Sequence, residues 1–330
     1  MLYSIIIPVY NRPDELDELL ASLTLQMCKD FEVIVVEDGS SVSSEQIVEK
    51  YAGSLDIKYF FKPNGGPALA RNYGVERSSG DYLIFLDSDC ITPPKYLEEV
   101  SDELQKRAVD AFGGADKADD SFTNIQKAIN YSMTSFITTG GIRGAAKTMD
   151  KFHPRSFNMG IKREVFEAIG GFSTMRFGED IDVSIRIFKN SYNCYFFPAA
   201  WVYHKRRTDF GKFYKQVFNS GIARINLTEK HPETLKLVHC LPAAFVIGCG
   251  VLLLASILLS AWAILPVPLL ALLIFIDASA KNKSIGIGFL SVIASFIQLF
   301  GYGSGFIVAF LKVKVLKQKD VEAFKKNFYK

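Results

Sequence analysis

Two long stretches in the last third of the chain contain no charged residue. Leu241–Ile276 is 36 residues long and Ile285–Leu311 is 27 residues long, and neither contains Asp, Glu, Lys or Arg. About 20 apolar residues suffice to cross a bilayer as a helix, whereas helices buried inside soluble proteins are seldom longer. The lengths predict three hydrophobic membrane-anchoring segments, at about 241–262, 264–280 and 285–311.

The charge balance differs between two parts of the chain. Residues 1–203 carry 21 Lys and Arg against 29 Asp and Glu, a net charge of −8, and residues 204–330 carry 17 against 6, a net charge of +11. The acidic part argues against a nucleic-acid partner. Basic residues flank the uncharged stretches on both sides, and the positive-inside rule places such flanks in the cytoplasm. The sequence therefore predicts a multi-pass protein of the inner (plasma) membrane, with its larger domain in the cytoplasm.

The number of membrane crossings stays open at this point. Two cytoplasmic flanks require an even number of crossings, but three segments are available. One segment is therefore expected to be re-entrant or interfacial, and the cluster Gly301-Tyr-Gly303-Ser-Gly305 is a candidate break in the third helix. The stretch Phe210–Arg224 mixes aromatic and basic residues and predicts an amphipathic helix on the membrane surface.

Apolar runs and amphipathic segments alternate over residues 1–110. The strands are predicted at Tyr3–Val9, Phe31–Val36, Asp56–Phe61 and Tyr82–Leu86. Tyr82–Leu86 is an unbroken apolar run, which is typical of a strand buried on both faces. This βαβαβαβ order predicts an α/β fold with a doubly wound, mostly parallel sheet. We expect this domain to occupy about residues 1–225, and residues 226–330 to form a membrane-anchoring region with a basic cytoplasmic tail. The glycine-rich stretch Gly140–Asp150 predicts a mobile loop.

Two carboxylates follow the last of these apolar runs. Asp87 and Asp89 come directly after Tyr82–Leu86, separated by Ser88. Alternate residues of an extended segment point the same way, so the pair is expected to converge on one hard cation. The alternative is an acidic turn after a strand.

Polar loops follow all four predicted strands. They contain Pro8-Val-Tyr10-Asn11, Glu37-Asp38-Gly39-Ser40, Asn64-Gly65-Gly66-Pro67 and Asp87-Ser88-Asp89. The carboxyl ends of parallel strands lie on one edge of the sheet, where α/β proteins bind their ligands. We expect the four loops to form one site.

The same motifs carry a resemblance to a known family. Ser4-Ile-Ile-Ile-Pro-Val-Tyr-Asn11, Val36-Glu-Asp-Gly-Ser40, Gly66-Pro-Ala-Leu-Ala-Arg-Asn72 and Phe85-Leu-Asp-Ser-Asp89 resemble the family 2 glycosyltransferases, which have the GT-A fold. The resemblance covers roughly residues 1–225 and includes Asn158-Met-Gly160 and Gly178-Glu-Asp180. Glu37-Asp38 departs from the Asp-Asp pair of many members.

The resemblance implies a donor site for a nucleoside-diphosphate sugar, linked to UDP or GDP. The residues expected to bind this donor are Pro8, Tyr10, Asn11, Asp38, Arg71, Asp87 and Ser88. Asp89 would bind Mn²⁺ or Mg²⁺ between the protein and the diphosphate, with Asp87 and His204 as further candidate ligands. For Arg71 an ion pair on a helix surface is the alternative, and for His204 a structural or lipid-facing role.

The resemblance also implies an acceptor site. Asp180 would be the general base, and a single in-line displacement would invert the anomeric configuration. Glu179, Asn158 and Arg207 would support the acceptor, Arg207 as part of a basic run that suits an anionic lipid phosphate. Acidic residues in a first helical turn also complement the helix dipole, which is the alternative reading of Glu179 and Asp180.

The sequence thus predicts a membrane-anchored, metal-dependent inverting glycosyltransferase. Its acceptor is expected to be a lipid-linked saccharide for cell-surface polysaccharide synthesis near the lipid bilayer. A polyprenyl-phosphate monosaccharide synthase is the alternative enzyme. A non-catalytic, membrane-tethered nucleotide-binding subunit is the alternative of another class, and Asp87, Asp89 and Asp180 count against it.

Overall fold

A computed structural model of the chain describes residues 1–117, 122–139, 152–204, 208–318 and 321. It divides the chain into two compact units. The sheet unit comprises Met1–Asp119 and Phe152–Lys205, and the helical unit comprises Asp120–Lys151 and Arg206–Lys330. The predicted loop Gly140–Asp150 lies outside the described residues.

Within the described residues of the sheet unit, eight strands form one mixed sheet. They are β1 (Tyr3–Val9), β2 (Phe31–Asp38), β3 (Ile57–Lys62), β4 (Tyr82–Leu86), β5 (Cys90–Ile91), β6 (Ala111–Lys117), β7 (Asn158–Lys162) and β8 (Cys194–His204). The spatial order is β3-β2-β1-β4-β7-β6-β8-β5. The first four strands are mutually parallel, as predicted, whereas β7 is antiparallel to both of its neighbours, β4 and β6.

The described helices of both units are numbered along the chain. They are α1 (Pro13–Thr24), α2 (Glu45–Tyr51), α3 (Pro67–Val75), α4 (Tyr96–Lys106), α5 (Asn124–Thr134), α6 (Phe136–Thr139), α7 (Arg163–Ala168), α8 (Glu179–Lys189), α9 (Phe210–Lys230), α10 (Leu237–Leu258), α11 (Pro266–Asn282) and α12 (Ile285–Phe310). Of these, α5, α6 and α9 to α12 belong to the helical unit.

Helices cover both faces of the sheet, as a doubly wound fold requires. Side chains alternate along a strand, so Ile5 and Ile7 pack with α1, α2 and α4, whereas Ile6 packs with α3, α7 and α8. Burial on both faces is the reason why β4 is a continuous apolar run and why β1 and β2 are mainly apolar.

A buried carboxylate joins three strands near the amino ends of β1 and β2. Glu32 on β2 accepts hydrogen bonds from the hydroxyls of Ser4 and Ser79 at 2.8 and 2.9 Å and from the backbone N–H of Gly80 at 3.2 Å. The ammonium of Lys58 on β3 lies 2.8 Å from its second oxygen. The carboxylate is thereby satisfied although almost no water reaches it.

Three apolar helical segments of the described helical unit are long enough to cross a membrane. They are Leu237–Leu258, Ala261–Asn282 and Ile285–Val315. Many of their large apolar side chains are exposed, for example Leu254, Leu258 and Leu273. The segments coincide with the three hydrophobic stretches predicted from the sequence.

The expectation of a broken third helix was wrong, because α12 runs without interruption through Gly301, Gly303 and Gly305. These glycines admit close helix packing instead. A Cβ at Gly305 would lie 2.1 Å from the carbonyl oxygen of Phe218 on α9, and one at Gly303 would lie 2.3 Å from the carbonyl oxygen of Pro242 on α10. Small residues let helix backbones approach one another, so Gly305 and Gly303 lie where α12 packs closely against α9 and α10.

The α9 helix is present as predicted, but its apolar face is covered by protein. Phe213 and Val217 pack with Ala294 of α12, and Ile222 and Ile225 are buried as well. This helix spans residue 225, where the sequence placed the domain boundary, and α5 also packs inside the helical unit. The predicted division into residues 1–225 and 226–330 stays a prediction.

Candidate active site

The four polar loops lie at one edge of the sheet. The parallel strands β1 to β4 end at Val9, Asp38, Lys62 and Leu86, and β1 lies between β2 and β4. The segments that follow these strands therefore start side by side, as expected from the sequence.

Asn11 connects the first two loops. Its backbone adopts a positive φ of 53°, and its side-chain oxygen accepts hydrogen bonds from the backbone N–H groups of Ser41 and Val42 at 2.7 and 3.2 Å. Its own N–H donates to the hydroxyl of Ser40 at 2.8 Å. Asn11 thus shapes the wall of the site. Pro8 and Tyr10, the other predicted donor residues of this loop, are half-buried.

Asp38 is held by the loop after β3. Its carboxylate accepts hydrogen bonds from the backbone N–H groups of Gly65 and Gly66 at 2.9 and 2.7 Å, and the ammonium of Lys62 lies 2.6 Å away. Gly66 has a φ of 93°, which favours glycine, and α3 begins directly after it. Lys62 was absent from the sequence prediction, although its place at the end of β3 was a usable signal.

Arg71 is an internal ion-pair partner of two carboxylates. It is 2% exposed, and its guanidinium lies 2.6 Å from the carboxylate of Asp87 and 3.1 Å from that of Glu179. The ring of Phe172 lies 5.4 Å below the guanidinium carbon. The helix-surface alternative is therefore excluded by burial, while the ion pair itself is present.

Asp89 has partners different from those of Asp87. One carboxylate oxygen lies 3.0 Å from the guanidinium of Arg12, and the other lies 3.3 Å from Nε2 of His204. The imidazole of His204 stacks on the ring of Phe157, with centroids 4.4 Å apart. The structure thus brings Asp89 and His204 together across β5 and β8, and it adds Arg12, which follows Asn11 in the sequence.

These residues can hold a divalent cation. The ligating atoms of Asp89, Cys90 and His204 lie within 4.8 Å of one another. A carboxylate oxygen suits Mn²⁺ or Mg²⁺, and an imidazole nitrogen is a common ligand of divalent transition metals. Cys90 is fully buried, and burial raises the pKa of its thiol well above the usual value, so the carboxylate and the imidazole are the readier ligands. Two protein ligands leave coordination positions for a diphosphate.

Glu179 and Asp180 begin α8, and each has its own guanidinium. Asp180 lies 3.1 Å from Arg155, and its other oxygen accepts a hydrogen bond from the N–H of Ile181 at 2.8 Å. Burial and the neighbouring Asp180 raise the pKa of Glu179 to about 7, against the effect of Arg71. Burial alone would raise the pKa of Asp180, but Arg155 and the N–H of Ile181 hold it below its usual value.

The remaining predicted residues are Asn158, Ser88 and Arg207. Asn158 is fully buried, where its side chain accepts a hydrogen bond from the hydroxyl of Tyr96 at 2.7 Å and donates one to the carbonyl of Ala200 at 2.9 Å. This is a bridge inside the sheet unit. Ser88 is buried, and Arg207 lies outside the described residues.

The mostly parallel sheet with helices on both faces places the protein in the GT-A fold class. A solved structure of a mannosyltransferase from Pyrobaculum calidifontis, in complex with GDP-Man and Mn²⁺, superposes with a TM-score of 0.59 at 18% identity. The match covers 96% of this chain and 88% of that one.

The family follows from the sequence. The family described as Glycosyl transferase family 2 matches residues 4–170, just over half of the chain, and the chain belongs to this family. The glycosyltransferase AglE of Haloferax volcanii is 29% identical over 261 residues, 74% of this chain and 80% of that protein. An uncharacterized glycosyltransferase of Rickettsia bellii is 45% identical over 86 residues, and the match spans 12% of its length.

Proposed function

We propose that the protein is a membrane-anchored inverting glycosyltransferase that uses a divalent metal. It would transfer a sugar from a UDP- or GDP-linked donor to a hydroxyl of an acceptor. The observation that carries this proposal is the joint presence, at the carboxyl edge of one sheet, of the Asp89–His204 pair and the Glu179–Asp180 pair. Family membership and the GDP-Man and Mn²⁺ complex of the structural relative support it.

The donor would lie along the loops after β1 to β4. Pro8, Tyr10 and Asn11 would line the pocket of the base and ribose. Asp38 would face the nucleoside, and Lys62, 2.6 Å from it, offers a donor to a base or ribose oxygen. Asp87, held by the buried Arg71, would face the ribose or the metal.

Asp89 and His204 would hold the metal ion. When bound, the ion would offset negative charge on the departing nucleoside diphosphate. Arg12 already lies beside Asp89 and adds a second positive charge within reach of a diphosphate there.

Asp180 would act on the acceptor. The acceptor oxygen would form a bond to the anomeric carbon while the bond from that carbon to the phosphate oxygen breaks. The hydroxyl proton would pass to Asp180, and the nucleoside diphosphate would leave on the opposite side. One such displacement inverts the anomeric configuration. Glu179 forms an ion pair with the buried Arg71 and would support the neighbouring Asp180.

The acceptor would be a lipid-linked saccharide, and the product a precursor of cell-surface polysaccharide. Three exposed apolar helices support a membrane location, and the basic residues around them support an inner (plasma) membrane protein with a cytoplasmic catalytic domain. In this view residues 1–225 are the catalytic domain and residues 226–330 the membrane anchor.

The purified full chain in detergent tests this proposal. With Mn²⁺ and either UDP-GlcNAc or GDP-mannose, we expect release of nucleoside diphosphate that increases with a lipid extract and yields a product of inverted configuration. The variant Asp180→Asn should lose at least about 100-fold in rate with donor affinity within about threefold. Asp89→Asn should weaken Mn²⁺ binding measured by paramagnetic resonance.

The exposed Asp56 provides the matched control. Asp56→Asn makes the same change of charge at a position away from the carboxylate cluster. A retained configuration, or an active Asp180→Asn variant, would contradict the mechanism. A product formed on bare polyprenyl phosphate would identify the monosaccharide synthase instead.

A further inference from the structure

The neighbouring carboxylates Glu179 and Asp180 are paired in different surroundings. The pair of Glu179 and Arg71 is internal, since the Arg71 side chain is 2% exposed. The pair of Asp180 and Arg155 faces outward, since the Arg155 side chain is 30% exposed and that of Asp180 is 14% exposed. Arg155 is therefore the guanidinium on the accessible side of the candidate base.

We propose that Arg155 is a positioning residue of the transfer reaction, which fixes the Asp180 carboxylate and keeps it ionised. The proposal rests on the proposed function, in which Asp180 is the base. Nothing in the sequence pointed to Arg155, because it lies 25 positions before Asp180 and outside the recognised motifs.

The geometry explains how orientation is fixed. One oxygen of Asp180 accepts from the N–H of Ile181 at 2.8 Å and the other from Arg155 at 3.1 Å. A carboxylate held at both oxygens cannot rotate about its last bond without losing one hydrogen bond. Each oxygen keeps a second lone pair, so the carboxylate can still accept the proton of a hydroxyl.

The segment that carries Arg155 is itself held in place. The backbone N–H of Asn158, at the start of β7, donates to the carbonyl of Arg155 at 3.0 Å. Phe152 and Pro154 pack on Gly113 of β6 so closely that a Cβ there would lie 2.7 Å from both side chains. A guanidinium on such a segment needs little reorganisation to stay beside Asp180.

The charges around Asp180 decide whether it is ionised. Among the described residues they include Arg155, Arg71 on α3, and Glu179 on α8, which is coupled to Asp180. Asp182 on α8 is paired with Arg186, and Asp87 after β4 acts on Glu179. Burial and the neighbouring carboxylate favour the protonated form of Asp180, and the two arginines favour the carboxylate. Arg155 is in direct contact, so its removal should allow Asp180 to take up a proton.

Carbodiimide labelling of the full chain in detergent tests this charge effect without any substrate. In a Glu179→Gln background, Asp180 is the remaining carboxyl of the pair, and mass spectrometry reports its modification. Between pH 5 and pH 7 we expect Asp180 to stay unlabelled with Arg155 present. The added change Arg155→Gln should shift the labelling midpoint upward by about one to three pH units, so that labelling appears in this range.

The variant Arg155→Lys keeps the positive charge beside Asp180 but changes how the carboxylate is oriented. It also provides a test if the Arg155→Gln variant does not fold. It should leave Asp180 unlabelled, because the charge remains. Hydrolysis of the donor, UDP-GlcNAc or GDP-mannose with Mn²⁺, should slow at least tenfold with donor KM within about threefold. The flexible ammonium of lysine holds the Asp180 carboxylate less rigidly than the planar guanidinium does. Arg77, similarly exposed and paired with Glu76, gives the control Arg77→Gln, which should change neither readout.

The outcomes distinguish this inference from the function on which it rests. Unlabelled Asp180 in the Arg155→Gln variant, or wild-type hydrolysis by Arg155→Lys, would overturn the role of Arg155. If Asp180→Asn alone retains transfer, the proposed base is wrong whatever Arg155 does.

Discussion

Replacement of Glu32 by glutamine should destabilise the sheet unit markedly. Burial by itself would raise the pKa of Glu32, but Lys58 and the hydrogen bonds of Ser79 and Ser4 lower it from 4.5 to about 2. One pKa unit corresponds to about 1.4 kcal/mol, so the ionised carboxylate contributes about 3 kcal/mol to folding. Glu32→Gln removes this contribution and places an amide N–H₂ among donors.

The effect has a defined pH dependence. A lowered pKa means that the stabilisation is complete above the unfolded pKa near 4.5 and is lost as the pH falls from 4.5 towards 2. The melting temperature of the wild type should therefore fall over this range more steeply than that of Glu32→Gln.

Thermal unfolding of the full chain in detergent, followed by circular dichroism at pH 7, provides the measurement. For a unit of this size, about 3 kcal/mol corresponds to a decrease of roughly 6–12 °C in Tm. Glu76→Gln is the control, because the Glu76 side chain is 70% exposed, and its Tm should change by about 1 °C or less. A Glu32→Gln variant that melts within about 2 °C of the wild type would refute the reasoning.

Two further predictions concern the helical unit and the donor loops. Gly305→Val should lower the recovery of monodisperse protein in size-exclusion chromatography, because overpacking against α9 costs about 1–3 kcal/mol. Gly250 has open space around it, so Gly250→Val should not lower the recovery. Equal recovery of the two variants would contradict close packing at Gly305. Lys62→Met should raise the donor KM about tenfold at unchanged kcat, because the carboxylate of Asp38 loses its ion-pair partner beside the donor. The surface change Lys50→Met should leave KM and kcat unaltered. An effect of Lys62→Met on kcat alone would argue against a donor role of Lys62.

The first half of the sheet could be predicted because its signals are local. Ile5, Val35 and Phe85 belong to short, mainly apolar runs that suit strands buried on both faces, and a polar loop follows each run. The order β4-β7-β6-β8 could not be predicted, because the antiparallel pairing of β7 depends on contacts far apart in sequence.

The sequence indicated which motifs form the candidate site, but it did not indicate most of the ion-pair partners of their residues. Asp89 and Asp180 stand in motifs, but their partners Arg12 and Arg155 come from other loops, and only the fold brings them together. Asn158 shows the converse, since it lies in a motif and yet is buried in hydrogen bonds inside the sheet unit. A motif indicates that a residue is constrained, not whether a ligand or the fold constrains it.

The length of α12 has a consequence for how the helical unit would lie in a bilayer. Its 26 residues extend about 39 Å, whereas the hydrocarbon layer of a bilayer is about 30 Å thick. If α12 crossed a bilayer upright, about six of its residues would therefore protrude from the hydrocarbon layer. The helical extension Leu311–Val315 that follows α12 carries Lys314, which pairs with Glu229 at the end of α9. A thicker bilayer would cover more of this extension and a thinner bilayer would cover less. Lipids of different chain length would therefore change how much of α9 lies outside the headgroup layer.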